Sequence, residues 1–319
     1  MPLIEKSAYQ PPFFFKNNHI QTVFPILFRK RKRVKYERER IVTPDKDFID
    51  LDWSRVHSSQ LILLMDGLEG NSYHKNIVNM AYFLNKNGFD TVVYNYRGCS
   101  GEPNLKPYSY HAGSVNDLDL VINHLLNQNN YADLFLVACS FGGNMVLKYL
   151  GEQGTAVDKR IKKAACYSVP CDLTGCSWKV SSQKFYIQHF LSKYREKIVQ
   201  KAEIMPDKIN AEGFNKIKNF KQYDDRYTAP LNNFKNAEDY WEKTCCLPHL
   251  KNIKIPTLLL NAKDDPFLTL KSFPEDTAKD SSYLFLEAPD YGGHAGFILF
   301  NKQNEYWFEK RIFNFLTDK

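Results

Sequence analysis

The sequence contains no apolar run approaching the roughly 18 residues that a membrane-spanning helix requires. Its apolar stretches have the length of strands, as in L-I-L-L-M at Leu61 to Met65. The start of the chain, M-P-L-I-E-K-S-A, lacks the charged segment and the following apolar stretch of a secretory signal. We therefore expect a soluble protein located in the cytoplasm.

The cysteines match neither a disulfide framework nor a zinc site. There are seven, an odd number, and they form no repeating C-x-x-C pairs. Cys245 and Cys246 are adjacent, and neighbouring residues rarely bind one metal. Cys171 and Cys176 have no histidine at ligand spacing. The sequence thus predicts free thiols in a reducing compartment and no structural metal.

The positive charge is too small and too local to indicate a nucleic-acid-binding protein. The formal net charge is +7, and the sequence carries no recognised nucleic-acid-binding module. Much of the excess lies in one cationic run, which consists of Arg29, Lys30, Arg31, Lys32 and Arg33. Apolar residues precede this run, namely Phe24, Ile26, Leu27 and Phe28. The run is either a solvated surface or a weak peripheral contact with anionic lipid headgroups.

The order of sequence patterns indicates one α/β domain over residues 1–319. Residues 1–33 are aromatic and punctuated by proline, which suggests an extended N-terminal arm packed on the body. Charged and apolar residues then alternate from Val34 to Val56, as in an antiparallel hairpin. Beyond it, short apolar runs alternate with helical stretches, which is typical of a doubly wound, mostly parallel sheet.

Six apolar runs are the candidate strands of this sheet: Leu61 to Met65, Thr91 to Tyr94, Leu134 to Val137, Ala164 to Tyr167, Thr257 to Leu260 and Tyr283 to Leu286. Helices are expected at Asn76 to Gly88, at Val115 to Leu126 and at the C-terminus. Between residues 171 and 253 the alternation of strands and helices is interrupted by a helical insertion, which we interpret as a lid. An apolar stripe at helical spacing runs through it, formed by Ile187, Phe190, Leu191, Tyr194 and Ile198.

Ser140 lies where a strand turns sharply into a helix. The segment V-A-C-S-F-G-G-N follows the apolar run L-F-L-V and precedes M-V-L-K-Y-L. Such a nucleophile elbow exposes a serine hydroxyl above the sheet and requires very small residues two positions before and after it. Ala138 and Gly142 meet that requirement. Ser140 is therefore the candidate nucleophile, although an ordinary tight turn would show a similar pattern.

A serine nucleophile needs a base and an orienting carboxylate, which in this fold follow in the order serine, acid, histidine. The strand P-T-L-L-L-N-A runs into Asp264 and Asp265, and the strand Y-L-F-L-E-A runs into the glycine-rich loop that holds His294. Asp265 is the preferred acid because aspartate-proline is the commoner form of this loop. Asp264 remains the alternative, and either aspartate could simply form a turn or cap a helix.

The oxyanion of the tetrahedral intermediate requires backbone N–H donors. One is expected from Phe141, the residue after the nucleophile. The other is expected from Leu68 in the loop M-D-G-L-E-G-N-S, which follows the first core strand. An ordinary strand end would read the same way, but the position of this loop before the elbow favours the oxyanion role.

Several blocks together resemble the YheT-type esterases of the α/β-hydrolase superfamily, a group with eukaryotic lipases and medium-chain ester synthases/esterases among its relatives. The blocks, in order, are N-N-H-I-Q-T-V-F-P, D-G-L-E-G-N-S, N-Y-R-G-C-S-G-E-P-N, S-F-G-G-N, D-D-R-Y-T-A-P-L, N-A-K-D-D-P-F and Y-G-G-H-A-G-F. The resemblance implies Ser140 as nucleophile, Asp265 as acid and His294 as base. Two positions depart from the pattern. Asp66 replaces the usual histidine of the oxyanion loop, and Ala138 replaces a glycine of the elbow.

These observations predict a cofactor-independent serine hydrolase that cleaves carboxylic esters through an acyl-enzyme. The apolar lid and an aromatic content of 14% suggest short- to medium-chain acyl or lipid-like esters. An acyltransferase would use the same acyl-enzyme with an alcohol acceptor. A non-catalytic binding protein on a hydrolase scaffold is the third hypothesis, and it depends on Asp66, whose charge would oppose an oxyanion.

Overall fold

The computed structural model describes residues 3–128 and 130–318, and these residues form one sheet of nine strands. The first two residues of the predicted arm lie outside the described part. In chain order the strands are β1 (Leu3–Ile4), β2 (Glu37–Val42), β3 (Phe48–Ser54), β4 (Gln60–Met65), β5 (Asp90–Asn95), β6 (Asp133–Cys139), β7 (Ile161–Tyr167), β8 (Thr257–Leu260) and β9 (Leu284–Glu287).

The sheet is parallel except at one edge. Its spatial order is β1-β9-β8-β7-β6-β4-β5-β3-β2. Only the β2/β3 and β3/β5 pairs are antiparallel among the described strands. The sequence-based prediction of a mostly parallel sheet preceded by an antiparallel hairpin is confirmed.

Helices cover both faces of the sheet. They are α1 (Asn18–Phe28), α2 (Lys75–Lys86), α3 (Val115–Asn127), α4 (Ser140–Gln153), α5 (Leu173–Ser181), α6 (Lys184–Ile204), α7 (Phe220–Tyr223), α8 (Ala229–Leu231), α9 (Ala237–Thr244), α10 (Glu275–Asp280) and α11 (Trp307–Leu316). Successive side chains of a strand point to opposite faces. Leu61 and Leu63 accordingly pack in the core cluster that contains α3 and α4, whereas Ile62 and Leu64 pack with α2 and α11. No described helix is long and apolar enough to cross a membrane.

Helices α5 to α9 lie between β7 and β8, inside the predicted insertion at residues 171–253. In α6 the predicted apolar stripe is buried at Ile187, Leu191, Tyr194 and Ile198. This stripe packs in the same core cluster as the elbow helix α4. The insertion therefore covers the carboxyl end of the central strands, and its role as a lid stays a prediction.

The N-terminal arm differs from the extended segment that we expected, because residues 18–28 form the helix α1. The Asn17 side chain caps this helix by accepting a hydrogen bond from the N–H of Ile20 at 3.0 Å. Burial of Gln21, Thr22 and Pro25 then fixes the helix against the body. Proline and aromatic residues have low helix propensity, so the local sequence did not predict this helix.

Arg29 does not belong to the exposed cationic run in which the sequence placed it. Its guanidinium is buried, donates to both carboxylate oxygens of Glu309 at 2.7 Å, and lies 3.8 Å from the ring centroid of Tyr306. A buried charge needs such a partner, and Glu309 on α11 supplies it. Arg29 therefore anchors the end of α1 and cannot contact a lipid surface.

Candidate active site

Ser140 lies at the junction of β6 and α4 with a backbone φ of 48°, in the left-handed region that side chains other than glycine rarely adopt. The turn leaves no room for bulk. A Cβ at Gly142 would lie 2.5 Å from both the Asp66 carbonyl oxygen and the Tyr96 hydroxyl. Ala138 is completely buried. These contacts explain why small residues flank the serine, and the strained backbone is typical of a nucleophile elbow.

The structure brings His294 to Ser140. The Nε2 atom of His294 lies 3.0 Å from the Ser140 Oγ atom. The Phe267 ring also packs against the imidazole, at a centroid distance of 4.3 Å. The histidine is therefore placed within proton-transfer distance of the serine hydroxyl.

The two aspartates after β8 have different partners. The Oδ2 atom of Asp265 lies 2.9 Å from His294 Nδ1, and its Oδ1 atom accepts the Phe267 N–H at 2.8 Å. Asp264 instead accepts the backbone N–H of Gly293 at 2.8 Å. Burial raises the pKa of Asp264 to about 6, against the opposing effect of that hydrogen bond. Asp265 thus faces the imidazole, whereas Asp264 holds the backbone of the histidine loop.

Helix α1 supports the histidine loop, a role that sequence reasoning did not find. The His294 N–H donates to the Thr22 hydroxyl at 2.9 Å, and the Asn18 amide donates to the Asp264 carbonyl at 2.9 Å. Both residues belong to the block N-N-H-I-Q-T-V-F-P. This block was the signal in the sequence that could have revealed the role of α1. Its contacts place the N-terminal arm directly beside the site.

Leu68 and Phe141 line the same pocket as Ser140 and His294. A Cβ at Gly67 would lie 3.3 Å from the Ser140 Cβ atom, so the loop after β4 approaches the serine closely. Phe141 lies in the first turn of α4, where backbone N–H groups have no acceptor within the helix. Both predicted donors are therefore adjacent to the serine, and their role at an oxyanion stays a prediction.

Asp66 is engaged by neighbours within its own loop. Its Oδ1 atom accepts the Gly67 N–H at 2.8 Å, and its Oδ2 atom lies 2.8 Å from His74 Nδ1. Burial lowers the pKa of His74, but the hydrogen bond and charge of Asp66 outweigh it, so that this pKa lies above its ordinary value. When His74 is protonated, its positive charge offsets the carboxylate that replaces the usual histidine.

We expect replacement of His74 by alanine to lower kcat/KM about tenfold, which corresponds to about 1.4 kcal/mol. The reason is that the charge of Asp66 would then act unopposed beside the oxyanion. The double variant D66N/H74A should recover most of the loss. The rates of ester hydrolysis by H74A, D66N and D66N/H74A measure this coupling. The loss should shrink as the pH rises above the raised pKa of His74, where the native imidazole is also neutral. Equal losses in H74A and D66N/H74A would contradict this account.

A buried lysine connects the α6 helix to the loop after β4. Lys197 Nζ lies 2.7 Å from Glu69 Oε1, and the Tyr110 hydroxyl donates to the same carboxylate oxygen at 2.9 Å. The Glu69 N–H in turn donates to the Tyr110 hydroxyl at 2.6 Å. Glu69 itself has a φ of 57°. The insertion thus fixes the residue that follows Leu68.

The block N-Y-R-G-C-S-G-E-P-N stabilises the loops behind the elbow. The Tyr96 hydroxyl donates to the Asp66 carbonyl at 2.6 Å, directly behind Ser140. Arg97 forms ion pairs with Asp47 at 2.9 Å and with Asp117 at 2.7 Å. This block therefore supports the floor of the site and does not enter its pocket.

An apolar pocket opens from Ser140 toward the inserted helices, with about 650 Å³ of empty space, part of which is open to solvent. Its apolar lining includes Leu173, Val180, Phe190, Phe220, Trp241 and Phe267. Asp224, which also lines the pocket, accepts hydrogen bonds from Thr228 at 2.6 Å and from Trp241 at 2.8 Å. Burial raises the pKa of Asp224 to about 7. Its carboxyl group is therefore largely uncharged in mildly acidic solution.

A mostly parallel sheet with helices on both faces, a strained serine after a central strand and a histidine-aspartate pair on later loops define a hydrolase of the α/β class. Comparison of the sequence with protein families agrees with this class. A family model described as alpha/beta hydrolase fold matches residues 60–300.

Individual relatives match over nearly the whole chain. YheT of Escherichia coli (strain K12), whose name proposes an esterase, is 31% identical over 95% of this chain and 91% of its own length. Phospholipase ABHD3 of Mus musculus is 30% identical over 91% of this chain and 73% of its own length. The chain belongs to the esterase- and lipase-type α/β-hydrolase family, in its YheT-type group.

A solved structure shows the same fold. The Pyrococcus furiosus esterase Pf2001 superposes with a TM-score of 0.61, covering 89% of this chain and 91% of that one. Its sequence identity is 15%, so this likeness concerns the fold alone.

Proposed function

We propose that the protein hydrolyses carboxylic esters through a covalent acyl-enzyme on Ser140. The observation that carries the proposal is the chain of contacts from Ser140 Oγ to His294 Nε2 at 3.0 Å and from His294 Nδ1 to Asp265 Oδ2 at 2.9 Å. The serine opens into an apolar pocket, which suits the acyl part of an ester. The family membership supports a hydrolase of this type.

In the first half of the reaction, Ser140 Oγ attacks the ester carbonyl carbon while His294 Nε2 accepts the hydroxyl proton. The carbonyl oxygen becomes an oxyanion, which the N–H groups of Leu68 and Phe141 stabilise. Asp265 stabilises the imidazolium. His294 then gives its proton to the alkoxide leaving group, and the alcohol departs. Water, activated by His294, attacks the acyl-enzyme and releases the carboxylic acid and the free serine. No step requires a cofactor.

The acyl chain is the part of the ester that the pocket selects. Its lining is apolar, and we propose short- to medium-chain acyl esters, including lipid-like ones, as substrates. Rates on p-nitrophenyl esters from acetate to palmitate test this proposal. A maximum between butyrate and decanoate is expected. A preference for charged acids, or for acetate alone, would contradict it.

Acyl transfer to an alcohol would start from the same acyl-enzyme. Adding ethanol to the assay and quantifying ethyl ester against free acid measures the partition between the two acceptors. We expect free acid as the main product in water.

A residue that lines the pocket without touching the serine offers a test of acyl selection. Ser177 on α5 lines the pocket, and Thr174 on the same helix does not. We expect S177W to lower kcat/KM for octanoate at least about tenfold while changing acetate by less than about threefold, because the indole fills the space of the longer chain. T174W is the matched control and should follow the native profile. Equal effects of S177W on both esters would show that the chain lies elsewhere.

A further inference from the structure

The outward face of helix α1 is apolar although it is exposed. Gln21, Thr22 and Pro25 form the buried side of this helix. Ile20, Leu27 and Phe28 are exposed, and Phe28 retains 66% of its accessible surface. The helix contains no Asp, Glu, Lys or Arg. A surface helix ordinarily presents polar residues to water, so we expect this face to contact an apolar partner.

The exposed apolar surface continues beyond the helix. Phe15 packs on Phe24 of α1 at a centroid distance of 4.9 Å and on Phe300 at 5.1 Å. Phe13 and Phe14 precede it, and Phe14 is 83% exposed. We call this surface the apolar patch, and its exposed members are Phe13, Phe14, Ile20, Leu27, Phe28 and Phe300. Contiguous apolar surface of this kind marks an interaction site.

The N-terminal segment that carries most of the apolar patch has charge of one sign. From Lys6 to Tyr36 there are eight Lys and Arg residues and no Asp or Glu. Although Arg29 is buried, other cations of this segment are exposed, among them Lys16, Lys30, Arg31 and Arg33. A second copy of the same surface would bring like charges together, which is unfavourable. An anionic lipid surface complements both the apolar residues and the cations.

The patch also lies next to the candidate active site. The buried side of α1 contacts the His294 N–H through Thr22 and the Asp264 carbonyl through Asn18. A helix with its side chains is about 10–12 Å across. We propose that the apolar patch and its cations dock the protein on the surface of an anionic lipid bilayer, with the active site one helix thickness away. Docking on a bilayer is independent of catalysis, so this inference goes beyond the proposed function.

Co-sedimentation of the full chain with unilamellar vesicles tests this docking. We expect binding to phosphatidylcholine vesicles that contain about 30 mol % phosphatidylserine, and weaker binding to pure phosphatidylcholine or at high salt. F13S/F14S and K30E/R31E should each reduce binding at least about tenfold, since they remove the apolar and the electrostatic part separately. The catalytically inactive S140A should bind like the native protein, so that a failure of docking and a failure of catalysis are distinguishable.

Two control variants test whether vesicle binding depends on the patch itself or on exposed apolar residues and positive charge in general. V42S/L270S replaces apolar residues that are equally exposed elsewhere, and K251E/K271E makes the same charge change away from the patch. Both should bind like the native protein, and F13S/F14S should retain hydrolysis of a water-soluble short-chain ester. The proposal is overturned if native protein does not bind the anionic vesicles, or if the patch variants bind as tightly as the controls. It is also overturned if the native protein is a dimer that F13S/F14S dissociates.

Discussion

Replacement of Ser140 by alanine should lower kcat for ester hydrolysis roughly a million-fold, the scale at which loss of a serine nucleophile abolishes covalent catalysis in comparable enzymes. The proposed acyl-enzyme forms on this hydroxyl, and His294 Nε2 lies 3.0 Å from it. H294A should cost about as much, because the serine and its base act as one unit. Initial rates on a p-nitrophenyl ester measure both losses, and the double variant should be hardly slower than either single one.

Ser177 offers the control for this experiment. It is a second serine in the same pocket, and S177A should stay within a few-fold of the native rate. If S140A kept more than about a hundredth of the native kcat, the hydrolysis would not pass through a covalent intermediate on this serine.

Replacement of Asp265 by asparagine should lower kcat about 10⁴-fold, the loss seen when a triad carboxylate becomes an amide and the imidazole adopts the wrong tautomer. Asp265 contacts His294 Nδ1 at 2.9 Å, and its side chain is buried. The amide keeps the size of the carboxylate but cannot stabilise the imidazolium. The same p-nitrophenyl ester assay measures the effect.

Asp264 is the matched control, because it has the same side chain one residue earlier. In D264N the amide oxygen can still accept the Gly293 N–H, so we expect less than a tenfold loss. A larger loss in D264N than in D265N would assign the acid to Asp264 and contradict the contacts described here.

The fold followed from the sequence because its main signals are local. Apolar runs such as Leu61 to Met65 and Leu134 to Val137 are long enough to show a strand, and helical periodicity separates them. Both runs are strands of the sheet, and they pair with each other in parallel. The order of serine, acid and histidine is likewise a property of the chain, and the structure brings Ser140, Asp265 and His294 together in that order.

Contacts between distant segments could not be predicted in this way. Arg29 reads as one of five cations, and only the folded chain brings it to Glu309, 280 residues away. Asp264 and Asp265 are neighbours whose side chains contact different groups of the histidine loop, and the turn after β8 decides which contact each one makes. It is closed by a hydrogen bond from the Asp265 N–H to the Ala262 carbonyl at 3.1 Å.

Asp66 shows a similar limit at shorter range. As a replacement for the usual histidine it suggested a hindered oxyanion site, and the non-catalytic hypothesis depended on it. The structure places His74 beside it, eight positions later in the chain. Charge compensation of this kind depends on how the loop folds back at the start of α2, which no local pattern specifies. This contact weakens the argument that Asp66 makes against catalysis.

Covalent labelling tests the central claim, that Ser140 is an activated nucleophile, most directly. A fluorophosphonate probe reacts with a serine only when a neighbouring base activates it. We expect the native protein to label, the modification to lie on the peptide that contains Ser140, and S140A and H294A not to label. Absence of labelling in folded native protein, or labelling that persists in S140A, would contradict the account.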